Sequence, residues 1–258
     1  MSWPLTSDPA HGFRILEKAL LMLRFFTRFP RQNGAWPKYE YLKPWIAALA
    51  PATIVDVGAN KGQFLILARR LWPSAALVAI EPNTSLHEEL QSCFAADSRA
   101  RIHCCAAGSS PGEETLHITR DHQNSSLLSP SEDFGADRPD DGVLRTEPVT
   151  VARLDDLLQG VAGPLFVKID VQGTELAVLQ GLGDRLADVM ALIVETPFER
   201  AYEGASDFHG IYCFLREHGF AYEGALGTLT SRRTGRVRQQ DAVFIRAGTA
   251  GIERTAGA

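Results

Sequence analysis

Cysteine is scarce in this chain, four in 258 residues, and none of the four (Cys93, Cys104, Cys105, Cys213) stands in a C-x-x-C pair. That spacing suggests neither a zinc site nor a disulfide framework, and reduced thiols in the cytosol are the plain reading. Long uncharged apolar runs are missing too. The stretch from Ile15 to Phe29 is interrupted by Glu17, Lys18, Arg24 and Arg28, so it is no membrane span. With its charges inside the apolar stretch and no small-residue cleavage site after it, it is also a poor signal peptide. Positive charge is not in excess: 26 basic against 31 acidic side chains leave a net −5. A chain-wide nucleic-acid footprint is thereby excluded. Nor is there a G-x-G-x-x-G turn or a Walker A lysine, because Lys61 falls outside that motif.

What remains is ordinary globular composition, 45% hydrophobic and 22% charged, at a length that suits one α/β domain with an extension. The first 50 residues carry seven basic and three acidic side chains, so the acidic excess lies in the rest. Ile15, Ala19, Met22, Phe26 and Phe29 recur at helical spacing and predict an amphipathic helix over 13–29, ended by Pro30. A second short helix is expected over 38–49. Residues 1–50 therefore read as a helical extension that packs on the main domain or on a partner in a homodimer, forms a lid, or lies on a membrane surface. Residues 51–248 form the main domain, and 249–258 a frayed tail.

From residue 52 strands and helices alternate. Strands are expected at Thr53–Val57, Ala76–Ile80, Ala100–Ala106, Glu114–Ile118, Glu147–Val151, Leu165–Ile169 and Ala191–Glu195. Helices are expected at Gln63–Leu71, 84–95, Thr174–Gln180 and Phe208–Glu217, with a helical turn at Arg153–Leu158. Phe220–Gly224 and Asp241–Arg246 read as a closing antiparallel pair. This order implies an α/β fold with a mostly parallel sheet, whose ligands bind beyond the carboxyl ends of the strands. Residues 119–146 break the rhythm. Rich in Ser, Asp, Gly and Pro, they suggest an active-site flap or a surface insertion.

The chemistry-bearing residues follow strands. Asp56-Val57 end the first and Gly58-Ala59-Asn60-Lys61-Gly62 follow, two glycines in a tight strand-to-helix turn that lets backbone approach a ligand. After the second comes Glu81-Pro82-Asn83, an acid suited to accept hydrogen bonds from both hydroxyls of a ribose. Together they fit a nucleoside-bearing cofactor, and the G-x-x-x-G spacing fits S-adenosylmethionine better than a dinucleotide. Asp170 follows a strand and Glu175 opens a helix; one of them can take a proton from an acceptor while the other positions a hydroxyl. Glu175 can equally be a first-turn acid favoured by the helix dipole. Glu195 ends a further strand and is a third candidate base. Lys168 is expected on the far face of its strand. His122 and His209 sit in candidate loops, where solvated imidazoles are common. No dense ligand motif suggests a metal.

Asp56-Val-Gly-Ala-Asn-Lys-Gly62, Glu81-Pro82 and Val167-Lys-Ile-Asp-Val-Gln-Gly-Thr-Glu175 together resemble the FkbM family of methyltransferases, and the pattern continues through Leu192-Ile-Val-Glu195 and Phe214-Leu-Arg-Glu-His-Gly-Phe220. The resemblance covers roughly residues 50–247. It implies a class I, Rossmann-like, seven-stranded sheet with helices on both faces, S-adenosylmethionine as methyl donor, and O-methylation of a sugar or natural-product hydroxyl. Asn124-Ser125-Ser126-Leu127 resembles the family's Ser-rich segment, which implies contact of Ser125 and Ser126 with the methyl donor; a turn role is the alternative. The expected donor site is then Asp56, Gly58, Asn60, Gly62, Glu81, Pro82, Ser125, Ser126 and Asp170. The catalytic set is Asp170 with Glu175 or Glu195, in a cytoplasmic enzyme acting on a small molecule. The competing reading is a non-catalytic module of the same fold that docks on a membrane or protein. A nicotinamide-dependent oxidoreductase is a third, disfavoured by the missing G-x-G-x-x-G.

Overall fold

The computed structural model describes residues 44–132, 140–199, 201–231 and 233–249. The chain divides into two units, Met1–Glu40 and Tyr41–Ala258, and every described residue belongs to the second. The expected helix over 13–29 lies outside the described residues. Within the expected helix over 38–49, the described residues contain the short α1, Pro44–Ala47.

The centre of the fold is built from β1 (Thr53–Val57) and β7 (Leu165–Ile169), which pair in parallel and are buried at every position. Strands covered on both faces read as continuous apolar runs rather than alternating ones, as T-I-V-D-V and L-F-V-K-I do. After β1 comes α2 (Gln63–Leu71), whose Phe64, Leu65, Leu67 and Ala68 are buried. Trp72 ends it, donating its indole N–H to Leu49 O at 2.7 Å and packing its ring on Phe166. β2 (Ala76–Ile80), α3 (Thr84–Phe94) and β3 (Ala100–His103) complete one half of the sheet. The other half follows β7: α5 (Glu175–Gly181), β8 (Val189–Pro197), α6 (Phe208–Glu217), β9 (Phe220–Thr230) and β10 (Val237–Arg246). Asp207 caps α6 by accepting from Gly210 N at 2.9 Å, and Ile211 and Leu215 bury its inner face.

The large sheet has seven strands in the order β3-β2-β1-β7-β8-β10-β9. Among the described strands β10 runs antiparallel to both β8 and β9, and the other pairs of this sheet are parallel. This is the seven-stranded, mostly parallel α/β sheet that the resemblance implied. Chain reversal at β10 has a consequence for the site: the start of β10 lies beside the end of β8, with Asp241 opposite Glu195 and Gln239 opposite Pro197.

Two expectations need correction. The strand expected over 100–106 is two: β3 stops at His103, and β4 (Ala106–Ala107) joins a separate three-stranded sheet, in the order β4-β6-β5, with β5 (Gly112–Thr119) and β6 (Val143–Ala152). The exposed Cys104 marks the switch between sheets. The second correction is that β6 starts at Val143, inside the expected loop. Its first residues stand exposed in the β5–β6 hairpin, so no apolar period announces them. The helical turn α4 (Leu154–Leu157) then leads into β7. Among the described residues no helix is long and apolar enough to cross a membrane.

Candidate active site

The carboxyl edge of the sheet gathers the turn after β1, the Glu81–Asn83 segment after β2, the Asp170–Thr174 turn after β7 and the end of β8. In the first turn Gly58 and Gly62 both take left-handed backbone, at φ +78 and +79. Their bare Cα atoms face the protein. A Cβ on Gly58 would lie 2.0 Å from the carbonyl oxygen of Asp170, and one on Gly62 would lie 2.8 Å from the Phe94 ring. The glycines therefore let β7 and α3 close onto the turn. Asn60, also left-handed at φ +50, aims its backbone N–H at Glu81 Oε2, 2.7 Å away. Glu81 Oε1 accepts from Asn83 N at 2.9 Å. The Glu81 carboxylate is thus the clasp between the β1 turn and the end of β2, with Pro82 half-buried beside it. Each carboxylate oxygen retains a second lone-pair site. Burial pushes the Glu81 pKa up to about 7, against the opposing pull of those two N–H groups.

Asp56 is completely buried. Its Oδ1 accepts from Lys168 Nζ at 3.2 Å, and Oδ2 has no hydrogen-bond partner among the described residues. Burial raises its pKa to about 6, with the Lys168 ammonium opposing. Lys168 does not sit on the far face of β7 as expected. It lies opposite Asp56 in the β1–β7 register, so the two share a face. Alternation then places Asp170 on that face too, with Oδ2 3.5 Å from Lys168 Nζ.

The turn after β7 holds a residue the sequence reading passed over. Gln172 adopts φ +59 and is buried. Its Nε2 donates to Asp170 Oδ1 at 2.8 Å and to Glu195 Oε2 at 2.6 Å. Glu195 Oε1 accepts a second amide, from Gln239 of β10. On the other side of Gln172, the hydroxyl of Tyr202 lies 3.0 Å from Oε1 and 2.8 Å from the Asn124 carbonyl oxygen.

The expected site residues thus separate. Asp170 and Glu195 meet; the Asp170 side chain is 16% exposed, while Glu195 is 5% exposed. Glu175 turns back into its own loop, where Oε1 accepts from Gly173 N at 2.9 Å, and burial raises its pKa to about 7. Ser126 donates to the Gln172 carbonyl oxygen at 2.6 Å and accepts from Leu128 N, and Ser125 Oγ accepts from Thr119 N. Both hydroxyls therefore serve backbone, and Ser126 fastens the 119–132 segment onto the Gln172 turn. His122 is exposed in a short 3-10 turn, and His209 is exposed in the first turn of α6. Asp241 was not singled out in the sequence. Yet Asp170, Glu195 and Asp241 each place a carboxylate oxygen within 4.8 Å of the others. Such an oxygen set is of the kind a hard divalent cation takes, assembled by the sheet rather than by a ligand motif along the sequence.

Sequence comparison addresses what this edge of the sheet belongs to. The profile of the methyltransferase FkbM domain matches residues 56–222, which contain the β1 turn, Glu81, the Asp170–Glu175 turn and Glu195. The chain belongs to the FkbM methyltransferase family. Among curated relatives, Methyltransferase sdnD of Sordaria araneosa is 28% identical over 170 residues, covering 55% of this chain and 65% of that protein. The chain therefore spans just under two thirds of that relative's length. Methyltransferase 1 of Beauveria bassiana is 25% identical over 195 residues, covering 65% of this chain and 72% of that protein. Among solved structures, fibrillarin of Aeropyrum pernix in complex with S-adenosyl-L-methionine aligns over 82% of this chain and 72% of its own, at 8% identity and a TM-score of 0.45.

Proposed function

We propose that this FkbM family member is an S-adenosylmethionine-dependent O-methyltransferase acting on a hydroxyl of a small molecule, a sugar or a natural product. The observation that carries the reading is the meeting of Asp170 and Glu195, from different strands, on one amide at the carboxyl edge of the sheet. Two features fit the cofactor. Glu81 keeps acceptor capacity beyond its two backbone N–H partners, as a pair of ribose hydroxyls requires. The β1 turn beside it takes left-handed backbone at Gly58, Asn60 and Gly62 and lies against Glu81. When bound, S-adenosylmethionine supplies an electrophilic methyl group on a sulfonium sulfur.

The protein's own work is alignment and proton removal. A hydroxyl would give its proton to a carboxylate as its oxygen bonds the donor's methyl carbon, and the sulfur–methyl bond would break with its electron pair left on sulfur as a neutral thioether. Asp170 is the more exposed of the paired acids, so it is the group able to reach that proton. Lys168 Nζ lies behind it, 3.5 Å from Asp170 Oδ2. Glu195, deeper and held by two amides, orients the incoming hydroxyl. Glu175 stabilises the turn that carries Asp170.

Asp170→Asn tests this assignment. With a radiolabelled methyl group on S-adenosylmethionine and a panel of hydroxyl acceptors, the variant should lose about a hundredfold or more in turnover. Its affinity for S-adenosylmethionine should stay within about twofold. Full turnover in the variant removes Asp170 as the base.

A further inference from the structure

We propose that Gln172 is the positioning residue of the two acids, and that Tyr202 aims it. The proposal deepens the reading above and rests on it. An amide nitrogen carries two protons. Gln172 spends one on Asp170 and the other on Glu195, at 2.8 and 2.6 Å. The angle between the two N–H bonds is set by the planar amide, so the spacing of the carboxylates follows from the side chain between them. Neither acid can drift toward the other to share a proton while that nitrogen stands between them.

The amide itself needs a reason to face this way. Turned over, it would set Oε1 against two carboxylates, where no proton is available. On its far side the Tyr202 hydroxyl, with one proton shared between two acceptors, lies 3.0 Å from Oε1 and 2.8 Å from the Asn124 carbonyl oxygen. Tyr202 is 4% exposed, so water does not compete readily for that contact. The backbone is held as firmly as the side chain. Ser126 Oγ donates to the Gln172 carbonyl oxygen at 2.6 Å. Tyr202 and Ser126 come from the segments after β8 and after β5, which are themselves paired through Pro130 with Tyr202, and through Ser131 N with Ala201 O at 2.9 Å. The placement of the acids at the ends of β7 and β8 is thus tied to the two loops that cover them. A misplacement of about 1 Å in a reacting group can cost about a hundredfold in rate, which is the scale on which this bracing matters.

The test is nitrogen-15 NMR of the side-chain amides, with Gln172→Met to assign the signals. In the wild type the two Gln172 N–H protons should both resonate downfield of the other glutamine amides and exchange with solvent about tenfold more slowly or slower still. Tyr202→Phe should bring them back toward the common position. Gln172→Met keeps side-chain length without the donors, whereas Gln172→Gly accepts the left-handed backbone and removes the side chain. Both should bind S-adenosylmethionine within about twofold of wild type, and both should methylate a hydroxyl acceptor about tenfold to a hundredfold more slowly. Ordinary amide positions in the wild type, or signals that ignore Tyr202→Phe, overturn the proposal, as does wild-type turnover in Gln172→Met. These signals are read without any methyl donor. A protein that fails to bind S-adenosylmethionine therefore sinks the functional reading and leaves the clamp to be judged by NMR alone.

Discussion

Lys168→Met should cost about 3–5 kcal/mol of stability at pH 8, the loss typical when one partner of a buried ion pair is removed. The substitution preserves the apolar stem in the wall of β7 and deletes only the charge. Lys168 is 4% exposed and lies within 3.5 Å of two carboxylates, Asp56 and Asp170. Without it, Asp56 remains at the centre of the sheet with no cation beside it. Burial already raises the Asp56 pKa to about 6, and the lysine opposes that rise; deleting the lysine raises it further. In the variant the folded state then holds a proton that the unfolded state has released, so stability falls as pH rises through the window above the ordinary carboxylate range. Urea melts should therefore show a smaller deficit at pH 5 than at pH 8. The double variant Asp56→Asn, Lys168→Met should recover most of the loss. A deficit below about 1 kcal/mol at pH 8, of the size seen for surface pairs, would mean that the ion pair is not sealed in the core.

Gly58→Ala should be comparably severe, for a different reason. Left-handed backbone costs a residue with a Cβ about 1–2 kcal/mol, and φ here is +78. The added methyl would then fall 2.0 Å from the carbonyl oxygen of Asp170. Neither chain can yield cheaply. Gly58 N donates to Ile80 O at 3.0 Å, and Asp170 N donates to Val57 O at 3.0 Å, so both sides are pinned by the ladder. Forced overpacking adds about 1–3 kcal/mol, and the total should reach about 3 kcal/mol or more. Gly160→Ala is the control. It has nearly the same backbone angle, φ +71, and nothing within 4 Å of an added Cβ. It should show the conformational cost alone. Equal losses at the two positions would show that no close approach exists at Gly58.

The parts of this fold that were legible in the sequence are those specified locally. β1, α2, β2, β7 and α6 have the bounds that their apolar runs and flanking breakers predicted. The strands expected over 114–118 and 147–151 lie inside β5 and β6, but their separation into a second sheet was not legible, because β6 begins with four exposed residues and β4 is only two residues long. The strand that changes sheets at Cys104 has no period of its own to report the change. For the candidate site, positions at strand ends pointed to Asp56, Glu81, Asp170 and Glu195, which lie at one edge of the sheet because parallel strands end together. Alternation along β7 puts Lys168 on the face of Asp170, and only its pairing with Asp56, 112 residues away, needed the register of the sheet. Gln172 was overlooked because an amide acquires its role only from its partners, here Glu195 and Tyr202, 23 and 30 residues further on. The reach of Glu175 back into its own turn was likewise invisible in a helix that opens with an acid.

The most direct measurement is calorimetric titration of the full chain with S-adenosylmethionine, alongside Glu81→Ala, at pH 6 and pH 8. Ribose hydroxyls donate to an ionised carboxylate, and the Glu81 pKa stands near about 7. Affinity should therefore rise from pH 6 to pH 8 in the wild type and lose that dependence in the variant. Two hydrogen bonds to a charged group make the expected loss in Glu81→Ala at pH 8 about tenfold to a hundredfold. No heat of binding in the wild type, or a variant that binds as tightly as its parent, would contradict the assignment of this edge of the sheet to S-adenosylmethionine.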